Sequence, residues 1–281
     1  MNRYTLGYVS AHRRQPWRIA RRIALQAPLF CARVDPSARL GYITAACRCS
    51  NLRSLVPLRL SVLISGRGTN LTAIQRAIDE GRCDAQIASV ISDRASAQGL
   101  VFAAERGIRS AVVKLRDYPT RDAWDEALTQ RVAESEPQLV VTAGFMRLVG
   151  PVFLARFSRR IINTHPALLP LFPGTDGPGL AIAAGVRISG CTVHVVDGGV
   201  DSGPILAQAA VPVAPDDTRD SLHERIRRAE HHLLPRVIDA IARNAITLEP
   251  TLHLSSNFDD RAQLFSLTDP PAVDPRDDNS P

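Results

Sequence analysis

Residues 58–93 read LRLSVLISGRGTNLTAIQRAIDEGRCDAQIASVISD, and the order of patterns within them decides the fold. The apolar run LRLSVLIS (58–65) predicts a buried strand. NLTAIQRAIDEG (70–81) predicts an amphipathic helix closed by Gly81, and QIASVISD (86–93) a second strand. A strand, a helix and a strand in so short a span form a βαβ unit, which requires a parallel sheet.

The same alternation continues outward. A helix is expected near 96–106, a short strand at SAVVKL (110–115), and a helix at RDAWDEALTQRVAES (121–135) with Trp124, Ala127, Leu128 and Val132 on one face. Strands follow at 138–144, 160–165, 191–197 and 204–213, and a last helix runs near 217–244. The expected fold class is therefore α/β, a doubly wound, mostly parallel, Rossmann-like sheet, with the last two strands close enough to pair antiparallel. Ligands of such sheets sit at the carboxyl ends of strands, so the loops after Ile64, Gly144 and Asn163 are where chemistry is expected.

Composition sets the outer bounds. The chain has 281 residues, 45% hydrophobic and 22% charged, which excludes collagen, coiled coil and wholesale disorder. No apolar run is long enough to span a membrane. Five cysteines, odd in number and unevenly spaced, argue against a disulfide framework. The net charge of +6 is misleading as a guide to partners: residues 1–59 carry eleven Arg, no Lys and one acid, so the rest of the chain is acidic. A nucleic-acid partner does not follow from a basic charge confined to one end. The expected domain is 58–247, between a basic extension (1–57) and an irregular, Pro- and Asp-rich tail (248–281). The leader formally fits an organellar transit peptide, and it fits equally a solvated tail or a start assigned upstream of the true one.

Three constellations carry chemistry. Ser65-Gly66-Arg67-Gly68-Thr69-Asn70 joins a strand to a helix, so backbone N–H groups at a helix N-terminus are open to an anion. It is neither a P-loop nor a full dinucleotide fingerprint, and a tight turn with Asn70 as the helix cap is the plainer alternative. Asn163-Thr164-His165-Pro166 ends a strand with Asn163 and His165 on one side. That pair offers an amide donor for an oxyanion and a proton carrier working near neutral pH; a structural His beside a capping Asn is the alternative. Val200-Asp201-Ser202-Gly203-Pro204 adds a loop carboxylate able to orient His165, or else an Asx turn, with Asp197 as a rival for the role. A metal site drawn from His165, His194, Asp197 and Asp201 has no recognisable ligand spacing, so none is expected. Cys191 in an apolar strand reads as core, and His231 and His232 as packing or solvent-facing. With no Ser or Cys nucleophile beside the His, the set suits direct transfer between two bound substrates.

LISGRGTNL, AGFMRLVGP, INTHPALLPLFPGT and SGCTVHVVDGGVDSGPI, with the closing Arg-Ala-Glu-His-His, resemble the phosphoribosylglycinamide formyltransferases, folate-dependent enzymes of purine synthesis. The resemblance spans about residues 58–245 in unbroken order. It implies that Gly68, Thr69 and Asn70 hold the phosphate of glycinamide ribonucleotide, with Glu230 at its ribose. It implies that Met146, Arg147, Leu148 and Val149, with Arg121 and Asn163, meet 10-formyltetrahydrofolate, and that Asn163, His165 and Asp201 are catalytic. It implies no metal, small-molecule substrates, no nucleic-acid or membrane partner, a cytoplasmic setting, and a monomer or homodimer. One departure stands out: Asp176 occupies a place where the family commonly has His. Methionyl-tRNA formyltransferase would need a further C-terminal domain. Formyltetrahydrofolate hydrolase would need a regulatory N-terminal domain and would lack the glycine cradle. A silent ligand-binding paralogue is disfavoured by the intact trio.

Overall fold

The computed structural model describes residues 56–248 and 253–254. The expected extension at 1–57 and the tail at 248–281 lie almost wholly outside the described residues. In chain order the elements are β1 (Leu58–Ile64), α1 (Thr69–Asp79), β2 (Ala85–Ser92), α2 (Gln98–Glu105), β3 (Ser110–Val112), α3 (Arg121–Ala133), β4 (Leu139–Thr142), α4 (Pro151–Arg156), β5 (Ile161–His165), α5 (Gly177–Ala183), β6 (Ile188–Val195), β7 (Ile205–Pro212), α6 (Arg219–Ala242), β8 (Ile246–Thr247) and β9 (His253–Leu254). Seven strands form one sheet in the order β3-β2-β1-β4-β5-β6-β7. The first five run parallel, while β6 and β7 are antiparallel. Strand order reverses between β1 and β4, which opens a crevice at their carboxyl ends.

Period-two alternation assigns the faces. Leu60, Val62 and Ile64 pack with Leu71 and Ile74 of α1 and Leu234, Val237 and Ile238 of α6. Leu63 points the other way, into Trp124, Leu128 and Val132 of α3 and Phe153 and Phe157 beyond it. Ala127 packs partly buried against the same cluster, so the predicted apolar face of α3 holds for all four residues. Two polar neighbours, Asp125 and Thr129, are buried as well. Ser61 shares the Leu63 face and starts a buried hydroxyl chain, Ser61 to Ser89 (2.8 Å) to Ser135 (2.9 Å), which satisfies three polar groups in an otherwise apolar layer.

The sequence reading departs from the structure in several places. The strand expected over 110–115 ends at Val112, because residues 115–117 turn into a short 3-10 segment. The helices α4 and α5 were not anticipated, since six and seven residues are too few to show a 3.6-residue period. β6 begins at Ile188, earlier than expected, and the last helix starts at Arg219, where Thr218 caps it. Among the described residues the tail contributes one strand, β9, paired with β8.

Candidate active site

The cradle between β1 and α1 is shaped by its backbone. Gly68, not Asn70, occupies the N-cap position of α1, at φ 76°, and no side chain caps the helix. The expected alternative with Asn70 as the cap is thus corrected: Asn70 lies inside the first turn, buried. A Cβ at Gly68 would sit 2.9 Å from the Cα of Gly99, so glycine serves both the left-handed φ and the close approach of the α2 segment. First-turn N–H groups of a helix have no intrahelical acceptor, and none is supplied here by a capping side chain.

Asn70 Nδ2 donates to Glu230 Oε2 at 3.1 Å, and Thr164 Oγ1 donates to the other oxygen at 3.1 Å. Glu230 is 5% exposed, and burial pushes its carboxyl up to about 6 against the pull of those two donors. Asn70 Oδ1 is buried without a hydrogen-bond partner, an acceptor beside the cradle. Cations gather at the same place. Burial and then the guanidinium of Arg67 lower the pKa of Arg227, while burial followed by Arg227, Arg219 and Arg67 lowers that of His223. Arg227 and His223 were not picked out from the sequence; their place three and seven residues before Glu230 on α6 was the only available sign.

The second cluster lies at the end of β5. Asn163 and His165 share a face, as alternation requires. Asn163 Oδ1 accepts from Thr142 Oγ1 at 2.8 Å, which aims the amide nitrogen outward toward Asp201 Oδ1, 3.5 Å away. His165 is 3% exposed; its Nε2 donates to the carbonyl of Phe172 at 2.8 Å and its Nδ1 lies 3.4 Å from Asp201 Oδ2. A neutral ring can donate to only one of those two acceptors, whereas the doubly protonated ring satisfies both.

Asp201 lies in the β6–β7 loop at φ 52°, and its Oδ2 also accepts the Gly174 N–H at 2.9 Å. Burial works to raise its pKa, but hydrogen bonding to His194, the Gly174 amide and the charge of His165 outweigh it, so the carboxyl is held below its usual range. Asp197, the rival carboxylate, closes its own loop by accepting from Gly199 N (3.0 Å) and Ser202 Oγ (2.8 Å).

His194 completes the cluster and was set aside in the sequence reading. Antiparallel register places it directly opposite Asn163. Its Nε2 is 3.2 Å from Asn163 Nδ2 and 3.5 Å from Asp201 Oδ1, and its Nδ1 donates to the Val195 carbonyl at 3.0 Å. Only a sequence reading that fixed the strand register could have found it. Among the described residues, no group of three or more His, Cys, Asp or Glu side chains is placed to hold a metal ion.

The loop after β4 carries the remaining residues. Met146 and Leu148 are exposed, Val149 packs toward α3, and Met146 N–H donates to Ser65 Oγ at 2.8 Å, tying this loop to the cradle. Arg147 Nε pairs with the buried Asp93 at 3.0 Å, and Arg121 Nη2 donates to the Leu148 carbonyl at 2.5 Å. The loop's exit is built by Asp125: its carboxylate accepts from Gly150 (2.7 Å), Val152 (2.9 Å) and Phe153 (3.2 Å), capping α4 from a neighbouring helix. Asp176 caps α5 through Gly179 N–H (3.3 Å) and pairs with Arg219 at 2.7 Å.

The formyl transferase family matches the chain over residues 58–238. The phosphoribosylglycinamide formyltransferase of Mycobacterium tuberculosis is 48% identical over 192 residues, covering 68% of this chain and 88% of that protein. The enzyme of the same name from Bacillus subtilis is 38% identical over 180 residues, covering 64% and 92%. The crystal structure of glycinamide ribonucleotide transformylase 1 from Symbiobacterium toebii superposes with a TM-score of 0.69 at 44% identity, covering 71% of this chain and 94% of that one. With its mostly parallel sheet, glycine cradle and Asn163–His165–Asp201 cluster all inside the matched span, the chain belongs to the formyl transferase family, among the phosphoribosylglycinamide formyltransferases.

Proposed function

We propose that this chain transfers the formyl group of 10-formyltetrahydrofolate to the amine of glycinamide ribonucleotide in purine (IMP) synthesis. The observation that carries the reading is the convergence of Asn163 and His165, on one face at the end of β5, on the carboxylate of Asp201, which lies 3.5 Å from the first and 3.4 Å from the second. Strand order puts β5 next to β4, one strand from the cradle that follows β1.

Each substrate finds suitable chemistry. The uncapped first turn of α1, with Arg67 and Arg227 crowding the same region, suits a phosphate, whose charge would relieve the repulsion between the two guanidinium groups. The orphaned Asn70 Oδ1 offers an acceptor to a ribose hydroxyl. Glu230, with both oxygens engaged by Asn70 and Thr164, acts at the ribose chiefly by holding Asn70 in place. For the folate, Met146 and Leu148 offer an exposed apolar surface to a flat heterocycle, while Arg121 and Arg147 supply cations for its carboxylates.

The folate, when bound, supplies a formyl carbon on a nitrogen leaving group. As the substrate amine adds to that carbon, negative charge gathers on the formyl oxygen. Asn163 Nδ2 keeps one N–H toward His194, and the other, whose contact to Asp201 is at the outer edge of hydrogen-bond distance, donates to that oxygen. The His165 imidazolium stabilises the same charge, and ionised Asp201 supports the imidazolium. The imidazolium gives its proton to the departing nitrogen, and the neutral ring this leaves takes up the proton lost by the amine, so the enzyme ends as it began. His194 keeps Asn163 and Asp201 in register.

No helix among the described residues is long and apolar enough to cross a membrane. The reading includes a cytoplasmic setting, a monomer or homodimer, and no metal requirement. Its test is formyl transfer by the full chain from 10-formyltetrahydrofolate to glycinamide ribonucleotide, beside His165→Ala. Transfer that depends on the ribonucleotide and falls about 10²–10⁴-fold in the variant supports it. Formylfolate turnover without the ribonucleotide makes the chain a hydrolase, and ligand binding without turnover makes it a silent paralogue.

A further inference from the structure

The stripe of α6 that faces the cradle is fixed by Glu230, whose carboxylate accepts from Asn70 in the first turn of α1. Arg227 and His223 stand three and seven residues earlier, so helical spacing places both on that stripe. At a rise of 1.5 Å per residue, His223 lies about 10 Å along the helix from Glu230. The charge of Arg67, from the loop between β1 and α1, reaches His223 and Arg227 alike. Arg67 is exposed, and no hydrogen bond or ion pair engages it among the described residues.

The other charges around His223 are already committed. Arg219, one turn earlier on α6, binds Asp176 at the start of α5 at 2.7 Å and Asp220 at 3.2 Å. Arg227, one turn later, pairs with Glu224. The half-buried ring of His223 makes no hydrogen bond to any of them among the described residues. Burial, then the charges of Arg227, Arg219 and Arg67, hold its pKa below the usual range against the weaker pull of Asp220. The ring is therefore mostly neutral at neutral pH. An imidazole without a partner thus stands beside an uncapped helix start and an unpaired guanidinium, where an arriving anion would change its charge.

We infer that His223 is a ligand of the ribonucleotide phosphate, and that it takes up a proton as the phosphate seats between Arg67, Arg227 and the first turn of α1. The inference rests on the ribonucleotide reading of the cradle. A phosphate monoester is close to doubly charged at neutral pH, and the dianion offsets the three guanidinium charges that keep the ring neutral. Proton uptake then makes the site select a dianion over a singly charged group such as a carboxylate or a phosphodiester. Affinity for the ribonucleotide is highest where the free ring is already protonated. It falls, by up to about tenfold per pH unit, as pH rises between the pKa of the free ring and that of the ring in the complex.

The test follows the His223 ring by NMR in the full chain carrying carbon-labelled histidine, its signal identified by its absence in His223→Gln. In the free protein the ring titrates below 6.5, and saturation with glycinamide ribonucleotide raises its pKa by at least about 1. Glycinamide riboside, which lacks the phosphate, leaves it where it was. Steady-state kinetics give a second readout. From about pH 6.5 to 8 the parent's KM for the ribonucleotide rises several-fold, while that of His223→Lys, whose charge is permanent, stays nearly flat. In His223→Gln the KM for the ribonucleotide is expected about tenfold above the parent's at the lower pH, and the KM for the formyl donor does not follow it. A ring whose pKa stays fixed at saturation overturns the inference, as does an equal rise with the riboside. Loss of affinity in His223→Lys equal to that in His223→Gln also overturns it, since the ring then contributes shape and not charge. Absence of ribonucleotide binding overturns the reading of the cradle, and the inference with it.

Discussion

The N-termini of α1 and α4 pose the same physical problem and receive opposite answers. Both helices start beside the loops expected to hold substrate, and both present N–H groups without intrahelical partners. At α4 the protein fills the place itself, with the buried carboxylate of Asp125 accepting from three amides. At α1 no side chain caps the helix, Gly68 takes the N-cap position, and Arg67 and Arg227 add positive charge nearby. A permanent carboxylate makes a helix start into a structural joint. A start left open keeps its N–H groups available, which is what the proposed phosphate site requires.

The largest test of this contrast is Asp125→Ala. It leaves three amides unpaired in a buried joint, and a loss of roughly 3–5 kcal/mol is expected from urea denaturation. If stability barely changes, Asp125 is not the cap that holds α4. Gly68→Ala comes next. The added Cβ meets the Gly99 backbone and demands a left-handed alanine, so a loss of about 2 kcal/mol is expected. KM for the ribonucleotide should also rise about tenfold, through displaced amides. A stability loss with unchanged KM would show that the open terminus is not where the phosphate binds.

Glu230→Gln sharpens the comparison by pH. Because the Glu230 pKa is raised to about 6 from the ordinary 4.5, its contribution to stability is full below 4.5 and is lost as pH rises through 6. That loss is about 2 kcal/mol at neutral pH. The glutamine variant escapes it and gives up part of one hydrogen bond, since Asn70 can turn its unpartnered Oδ1 toward the new amide. A net gain of about 1 kcal/mol is expected at neutral pH. The melting temperature should also be flatter than the parent's between pH 4.5 and 7. Identical slopes would show that Glu230 does not titrate there. Asp176→Ala is the smallest. This carboxylate caps α5 and pairs with Arg219 in the open, and Arg219 holds it below its usual range. Solvent-exposed pairs contribute little, so kcat and KM are expected within about threefold of the parent in steady-state assays. A larger fall in kcat alone would mean that Asp176 governs the placement of Gly174 against Asp201.

The parts legible beforehand were those whose geometry is local. The βαβ alternation, the glycines between β1 and α1, and the two-residue spacing of Asn163 and His165 each follow from backbone periodicity. Other parts were not legible, for equally definite reasons. The helices α4 and α5 are too short to display a period, and Pro151 and Gly177 at their starts read as loop. Asp125 looks like one acid on a solvated helix face until α4 is packed against it. Arg227 and His223 look like surface charges of a long polar helix until α6 crosses the cradle.

By itself the sequence determined the sheet type, the glycine turn that opens α1 and two of the groups at the end of β5, because strand and helix periods and glycine conformations are encoded within a few residues. The tertiary structure alone decided that β6 returns antiparallel with His194 opposite Asn163, that Asp201 reaches both histidines, and which helix start is filled and which left open. Those outcomes depend on register and on burial between segments far apart in the chain, where a polar group must find its partner in space and no local pattern names it.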